Sequence, residues 1–260
     1  MKTNISKLYY KDYFKGCTYQ IDTQSHSLSV SLNDISTRNK KILKTKLYPI
    51  LNECCKKDQS FELVVAYPGL VTGVGIEHEL GIKEEFKLGL HFDYISGMPI
   101  IYGSSVKGVL RSAFNDKEYI RENLKDKEID LNDLELEIFA GKVRNKDKDQ
   151  VKNGKLIKGY DNISIYKRDI FFDAVLVKED LQGRILATDS ITPHKDPLKN
   201  PIPLTFLKIA SGTTIEFRFD LKPSSIGNLS VNKKLSLFKR ILYDFGIGAK
   251  TNVGYGQFIE

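Results

Sequence analysis

Tryptophan is absent from the 260 residues and cysteine is scarce: Cys17 stands alone, and Cys54 and Cys55 are adjacent. With no CxxC pair and no even-numbered framework, the chain is not a disulfide-stapled secreted domain, and the cysteines read as reduced packing residues. Long apolar runs are missing too. No stretch of about 18 uncharged apolar residues occurs, which excludes a sequence-evident membrane helix. The opening MKTNISKLYYKDYFKGC alternates Lys with Tyr and has no apolar centre of the signal-peptide kind, so a soluble, cytoplasmic chain is expected. G-x-x-x-x-G-K-[ST] is also absent, and nucleotide hydrolysis therefore has no support.

What is present suits an ordinary core. Hydrophobic residues make up 41% and aromatics 10%, enough for one large domain or two small ones. Lys and Arg number 40 against 33 Asp and Glu, a net +7 that permits a polyanionic partner without requiring one.

Apolar residues at Leu43, Leu47, Ile50, Leu51 and Cys54 follow one helical face and predict a helix over 36–57, bent at Pro49. Phe61 to Tyr67 (FELVVAY) predicts a buried strand closed by Pro68-Gly69, with a loop holding Gly69, Gly73, Gly75 and Gly81 after it. Met98 to Phe114 predicts a short apolar run, then a helix burying Val106, Leu110, Ala113 and Phe114, with Ser104 or Ser105 as its cap. Residues 116–168 read as a charged insertion around an apolar island, Leu131 to Phe139, and its Lys/Asp-rich part, 142–162, reads as mobile.

Strands are predicted at Ile170 to Val177 and at Thr213 to Asp220, where Ile215, Phe217 and Phe219 alternate with Glu216, Arg218 and Asp220. Four prolines make 191–203 an extended loop. A last helix over 232–245 should bury Leu235, Phe238, Ile241, Leu242 and Phe245, and a glycine-rich loop with a closing strand ends the chain. Helices and amphipathic strands in this irregular order predict an α+β fold rather than a doubly wound parallel sheet.

Two motifs could hold an anion. Gly97 to Arg111 (GMPIIYGSSVKGVLR) is a strand, a glycine turn and a helix start, where unpaired amides at Gly103, Ser104 and Ser105 meet the positive end of the helix dipole. Lys107 and Arg111, four apart, extend that site with full charges. The plain alternative is a surface helix with two solvated cations. The second motif, Gly246 to Phe258 (GIGAKTNVGYGQF), places four glycines, Gly246, Gly248, Gly254 and Gly256, around Lys250, Thr251 and Asn252, a spacing that suits an anion nest, although a hairpin using glycines for positive φ would read alike. Tyr94, Tyr102 and Tyr255 are candidate base-stacking groups, with Tyr255 the one selected.

None of the four histidines has a partner at a telling spacing. His78 lies between Glu77 and Glu79 without HExxH or a second His, which favours a structural role over a metal site. His91 reads as a packing residue. His194 lies in the proline-rich loop beside Asp189, Lys195 and Asp196, and loops host functional contacts more often than cores do, so it stays a candidate contact residue beside the plain surface reading. No metal and no cofactor is indicated.

The stretch GLHFDYISGMPIIYGSSVKGVLRSAF resembles the central signature of the RAMP proteins of CRISPR systems, and GIGAKTNVGYGQF resembles their C-terminal glycine-rich loop. Phe171-Phe172-Asp173-Ala174, Thr192-Pro193-His194 and Pro203-Leu-Thr-Phe-Leu207, in that order, narrow the resemblance to the sixth-subunit family of the Cmr, or type III-B, effectors. It runs from about Pro68 to Phe258, and departs from the pattern at Tyr102, where the family usually has proline.

The resemblance implies a ferredoxin-like core, related to the RNA-recognition fold, with insertions. It divides the chain into an N-terminal helical extension at 1–60 and a RAMP domain at 61–260 that carries the charged insertion. It implies a non-catalytic subunit that grips the 3′ part of guide RNA, borders its duplex with target RNA and packs against other RAMP and small subunits of the Cmr complex, with no membrane partner. The RNA contacts so implied are Gly103, Ser104, Ser105, Lys107, Arg111, His194, Gly246, Gly248, Lys250, Thr251, Asn252 and Tyr255. The alternative within the same superfamily is a metal-independent endoribonuclease that processes CRISPR RNA through His194 or His91.

Overall fold

The structure, a computed structural model, describes residues 4–17, 19–21, 28–48, 57–73, 78, 84–86, 90–125, 128–152, 155–191 and 203–259. A helical turn at Lys7–Lys11 and a short antiparallel ladder, β1 (Tyr19–Ile21) against β2 (Leu28–Val30), lead into α1 (Leu32–Leu43). This helix begins before the expected 36 and ends well short of 57, because Ile35 and Ile42, seven apart and wholly buried, set its inner face. Pro49 also disfavours helical backbone at the residue before it. Ile50, Leu51 and Cys54 of the expected face lie outside the described residues.

Strand β3 (Ser60–Val65) follows, then β4 (Ile100–Ile101) and α2 (Gly103–Ala113), which buries Val106, Leu110 and Ala113 as the spacing predicts. Neither Ser104 nor Ser105 caps α2: Tyr102 is the N-cap, and both serines lie in the first turn. Helices α3 (Lys117–Leu124) and α4 (Leu131–Glu135) are capped by Asp116 and Asp130, whose carboxylates accept amide hydrogen bonds from the first turn. Leu131, Leu134, Ile138 and Phe139 are buried, so the apolar island between the charged stretches is part of the core.

Strands β5 (Lys142–Arg144), β6 (Gln150–Lys152), β7 (Lys155–Ile157) and β8 (Tyr160–Asn162) make two nested ladders, β5–β8 and β6–β7, where the charge run predicts a mobile stretch. The charges there pair with one another. Arg144 meets Asp149 at 2.6 Å and Asp133 at 3.5 Å, Lys158 meets Asp133 at 3.1 Å, and the Tyr160 hydroxyl donates to Asp133 at 2.7 Å.

The strand expected at 170–177 is two, β9 (Ile170–Phe171) and β10 (Ala174–Lys178), parted where Asp173 turns its carboxylate to α2. A hairpin of β11 (Leu186–Ile191) and β12 (Leu204–Ile209) precedes β13 (Thr214–Asp220), α5 (Val231–Phe245) and β14 (Phe258–Ile259). Ile215, Phe217 and Phe219 are fully buried, but Arg218 on the expected wet face is buried as well, its guanidinium held by Glu216. On α5, Leu237, Phe238, Ile241 and Leu242 are buried; Leu235 is only partly covered, and Phe245 is 43% exposed, since the helix ends there and the chain turns away at Gly246.

The central sheet has the order β14-β3-β13-β10-β4, antiparallel throughout. Without the edge strand β4, the sequence β3-α2-β10-β13-α5-β14 is βαββαβ with spatial order 4-1-3-2, the ferredoxin-like arrangement. Helices α2 and α5 pack together, and α5 lies along β3 and β14. Phe238 joins helix to sheet, meeting Phe219 at 5.5 Å and Phe171 at 5.8 Å between ring centres. The fold is α+β. Among the described residues no helix is long and apolar enough to cross a membrane.

Candidate RNA interface

A third segment, Gly69 to Gly73, buried along its whole length, contacts the C-terminal glycine-rich motif directly and the first motif through His91. On one side, the Gly256 amide donates to Gly69 O and the Ala249 amide to Val71 O, both at 2.8 Å. On the other, the Thr72 hydroxyl accepts the His91 amide at 3.0 Å, and a side chain on Gly73 would meet His91. His91 stacks on Tyr102, 4.4 Å between ring centres, and Tyr102 caps α2. Leu70 also pairs with Ile209, which ties the β11–β12 hairpin to the same segment.

At the α2 start the free amides differ from expectation. The Asp173 carboxylate accepts the Gly103 amide at 2.7 Å, and the Ser105 and Val106 amides donate to Tyr102 O. A negative side chain already occupies the positive end of the dipole. Gly103 is buried against Phe171, and a Cβ there would sit 2.2 Å from Phe171 O, so this glycine serves close packing. Ser104 is exposed and Ser105 half-buried. The Lys107 ammonium lies 5.6 Å from the Phe171 ring centre, and Arg111 is turned away to Glu135 at 3.0 Å.

The C-terminal loop is likewise less open than a full anion nest. Amides of Gly246, Ile247, Ala249, Val253, Gly254, Tyr255 and Gly256 all donate to backbone carbonyls. Among the described residues, the amides of Gly248, Lys250, Thr251 and Asn252 remain for a ligand. Gly248 packs against Val71 O, where a Cβ would come within 2.5 Å. Lys250 takes the left-handed conformation at φ 62° and has no ion-pair partner among the described residues.

Tyr255 does not present a stacking face. It is 8% exposed, its hydroxyl donates to Asp189 at 2.6 Å, and the Lys208 ammonium, also bound to Asp189, lies over its ring. Burial and the hydrogen bond to Asp189 push the Tyr255 hydroxyl above its ordinary pKa. Tyr102 is the more open ring at 39% exposure, and Tyr94 and Ile95 stand almost bare on the turn before β4. Burial lowers the pKa of His91, which favours the uncharged form of the ring under Tyr102.

His78 packs on both Tyr9 and Tyr13, at 4.3 and 4.4 Å between ring centres, with Nε2 3.0 Å from Tyr9 O, the structural role its spacing predicts. His194 and its neighbours lie outside the described residues. Sequence reasoning missed the Gly69–Gly73 bridge and the capping role of Asp173. Two glycines flanking Leu70 and Val71, and an Asp directly before a buried strand, were the available signals.

The ferredoxin-like sheet and the glycine-rich C-terminal loop are the two features that the resemblance to RAMP proteins implies. The sequence pattern of the RAMP superfamily matches residues 62–259, and the chain belongs to that superfamily. Among single proteins, it is 32% identical over 106 residues to the CRISPR system Cmr subunit Cmr6 of Pyrococcus furiosus, a match covering 35% of this chain and 30% of that protein. The match thus spans less than a third of its relative's length. Its fold is similar to that of a chain in the cryo-EM structure of the type III-B Cmr-beta complex bound to cognate target RNA, with TM-score 0.54, 24% identity, and coverage of 87% of this chain and 73% of the other.

Proposed function

We propose that the chain is the sixth-type RAMP subunit of a type III-B CRISPR effector in the cytoplasm, a non-catalytic protein that holds the 3′ part of guide RNA beside its duplex with target RNA. The observation that carries this reading is the junction at Gly69–Gly73, which brings the α2 start, the Tyr102–His91 stack and the Lys250 loop to one place. The similarities to Cmr6 and to a chain of a target-bound Cmr complex support it.

At that junction one phosphate meets Lys250 with the Thr251 and Asn252 amides, another meets Ser104 and Lys107 at the α2 start, and Tyr102 offers a face to an unpaired base. Such contacts position a backbone without reading sequence, as suits a protein that leaves recognition to base pairing. Arg111 and Tyr255, engaged within the protein, are supports rather than first contacts. His91 is covered on one face by Tyr102 and its amide is held by the Thr72 hydroxyl, which favours packing over general acid–base cleavage.

The test is photo-crosslinking in the reconstituted complex with guide RNA carrying 4-thiouridine in its 3′ part. Crosslinks to peptides containing Tyr102 or Lys250 are expected. Crosslinks restricted to the 5′ end, or RNA cleavage by this subunit alone, would overturn the reading.

A further inference from the structure

The chain's positive charge is not spread evenly. Residues 1–60 carry 11 Lys and Arg against 5 Asp and Glu, a net +6, whereas residues 61–260 carry 29 against 28, a net +1. The superfamily match begins at residue 62, so nearly all of the excess lies before it. Within the described part of those first residues the charge is concentrated at the end of α1. A cleft of about 500 Å³ there is lined by Lys40, Lys41, Lys44 and Lys46 together with Thr37 and Tyr48, and among the described residues no acidic side chain lines it.

All four lysines are exposed. Lys46 is partly offset by Glu179 at 3.7 Å, but Lys40, Lys41 and Lys44 have no ion-pair partner among the described residues. The negative end of the α1 dipole, equivalent to about half an elementary charge, favours cations in the last turn but does not balance four of them. Elsewhere several cations are engaged: Arg111 with Glu135, Arg144 with Asp149, Lys158 with Asp133, and Arg240 with Asp244.

We infer that this cleft is a second binding surface, for the sugar–phosphate backbone of RNA, separate from the junction at Gly69–Gly73. Clustered lysines facing solvent, three of the four without an ion-pair partner among the described residues, match a polyanion, because each neutralised phosphate releases condensed counterions. Tyr48 supplies an apolar wall for a sugar or a base, which a purely acidic peptide would not use. The surface also adjoins the first one: α1 packs on β11, and β11 carries Asp189, the partner of Tyr255 in the glycine-rich loop.

The experiment measures binding of labelled single-stranded oligo-U and oligo-A to the full chain across a range of KCl concentrations. Wild type is compared with the triple variant Lys40→Ala, Lys41→Ala, Lys44→Ala and with the corresponding Lys→Arg triple. Three lost phosphate contacts at about 0.7 each should lower the log–log salt slope by about 2, equally for both RNAs, while the Arg variant keeps the wild-type slope. Because these side chains are exposed, the urea midpoint should not move.

An unchanged slope in the Ala variant, with binding still reduced by Lys107→Ala and Lys250→Ala, would overturn this inference and leave the proposed function standing. Loss confined to binding of polyglutamate, with RNA unaffected, would assign the cleft to an acidic protein and also overturn it. Absence of RNA binding by wild type at every salt concentration would remove both.

Discussion

Gly256 has no room for a side chain. Its φ is 69°, and a Cβ would fall 1.9 Å from Ile247 O, in the turn where the loop closes on Gly69. Gly256→Ala should therefore destabilise the fold by about 2 kcal/mol or more, from clash and backbone strain together. Urea unfolding checks this, and a change under about 0.5 kcal/mol would show that the loop relaxes freely.

A second residue-scale case is the Lys234–Asp169 pair, 2.7 Å apart with both side chains almost wholly buried. Removing one partner strands a buried charge, so Asp169→Ala should cost about 3–5 kcal/mol. Asp189 gives a pH signature. Burial works to raise its pKa, but hydrogen bonds from Lys208 and Tyr255 outweigh it and hold the carboxyl below its ordinary value. A depressed folded pKa contributes stability above the unfolded value of about 3.9, lost as pH falls through the folded one. The stability gap between wild type and Asp189→Asn should accordingly narrow as pH drops below about 4, as read by urea midpoints at each pH.

At the scale of elements, α2 illustrates what its own sequence determines and what it does not. Val106, Leu110 and Ala113 mark its buried face by spacing alone, and the structure agrees. The cap was illegible, because the group that binds the Gly103 amide is Asp173, seventy residues later and brought there by the β10–β4 pairing. Asp173→Asn removes a negative charge from the helix start, where phosphate is expected. RNA affinity at low salt should rise, while stability falls by about 1 kcal/mol. Affinity that falls with the carboxylate would mean that RNA does not approach α2.

The glycine-rich loop shows the same division. Its glycines signalled positive φ, and Gly246, Gly248, Gly254 and Gly256 all have it. Whether the amides faced a ligand or the protein depended on Gly69 to Gly73, which the local pattern presents only as a loop. The α1 boundary and the nested ladders at 142–162 were obscured for a related reason: tertiary burial of Ile35 and mutual pairing of charges override spacing and composition.

For the whole molecule, the βαββαβ sheet positions three distant segments, and charge is divided unevenly between the first 60 residues and the rest. The resemblance is carried by residues 97–114 and 246–258, of which the second contacts Gly69–Gly73 directly and the first is joined to it through the His91–Tyr102 stack, whereas the α1 cleft lies before the matched region. RNA backbone lying across the Gly69–Gly73 junction, as proposed, would depend on Lys107 and Lys250. The most direct test is the salt dependence of RNA binding by the full chain, wild type against the double variant Lys107→Ala, Lys250→Ala. Two lost phosphate contacts predict a log–log slope shallower by about 1.4 and weaker binding at low salt; a double variant with the wild-type slope and affinity would contradict the account.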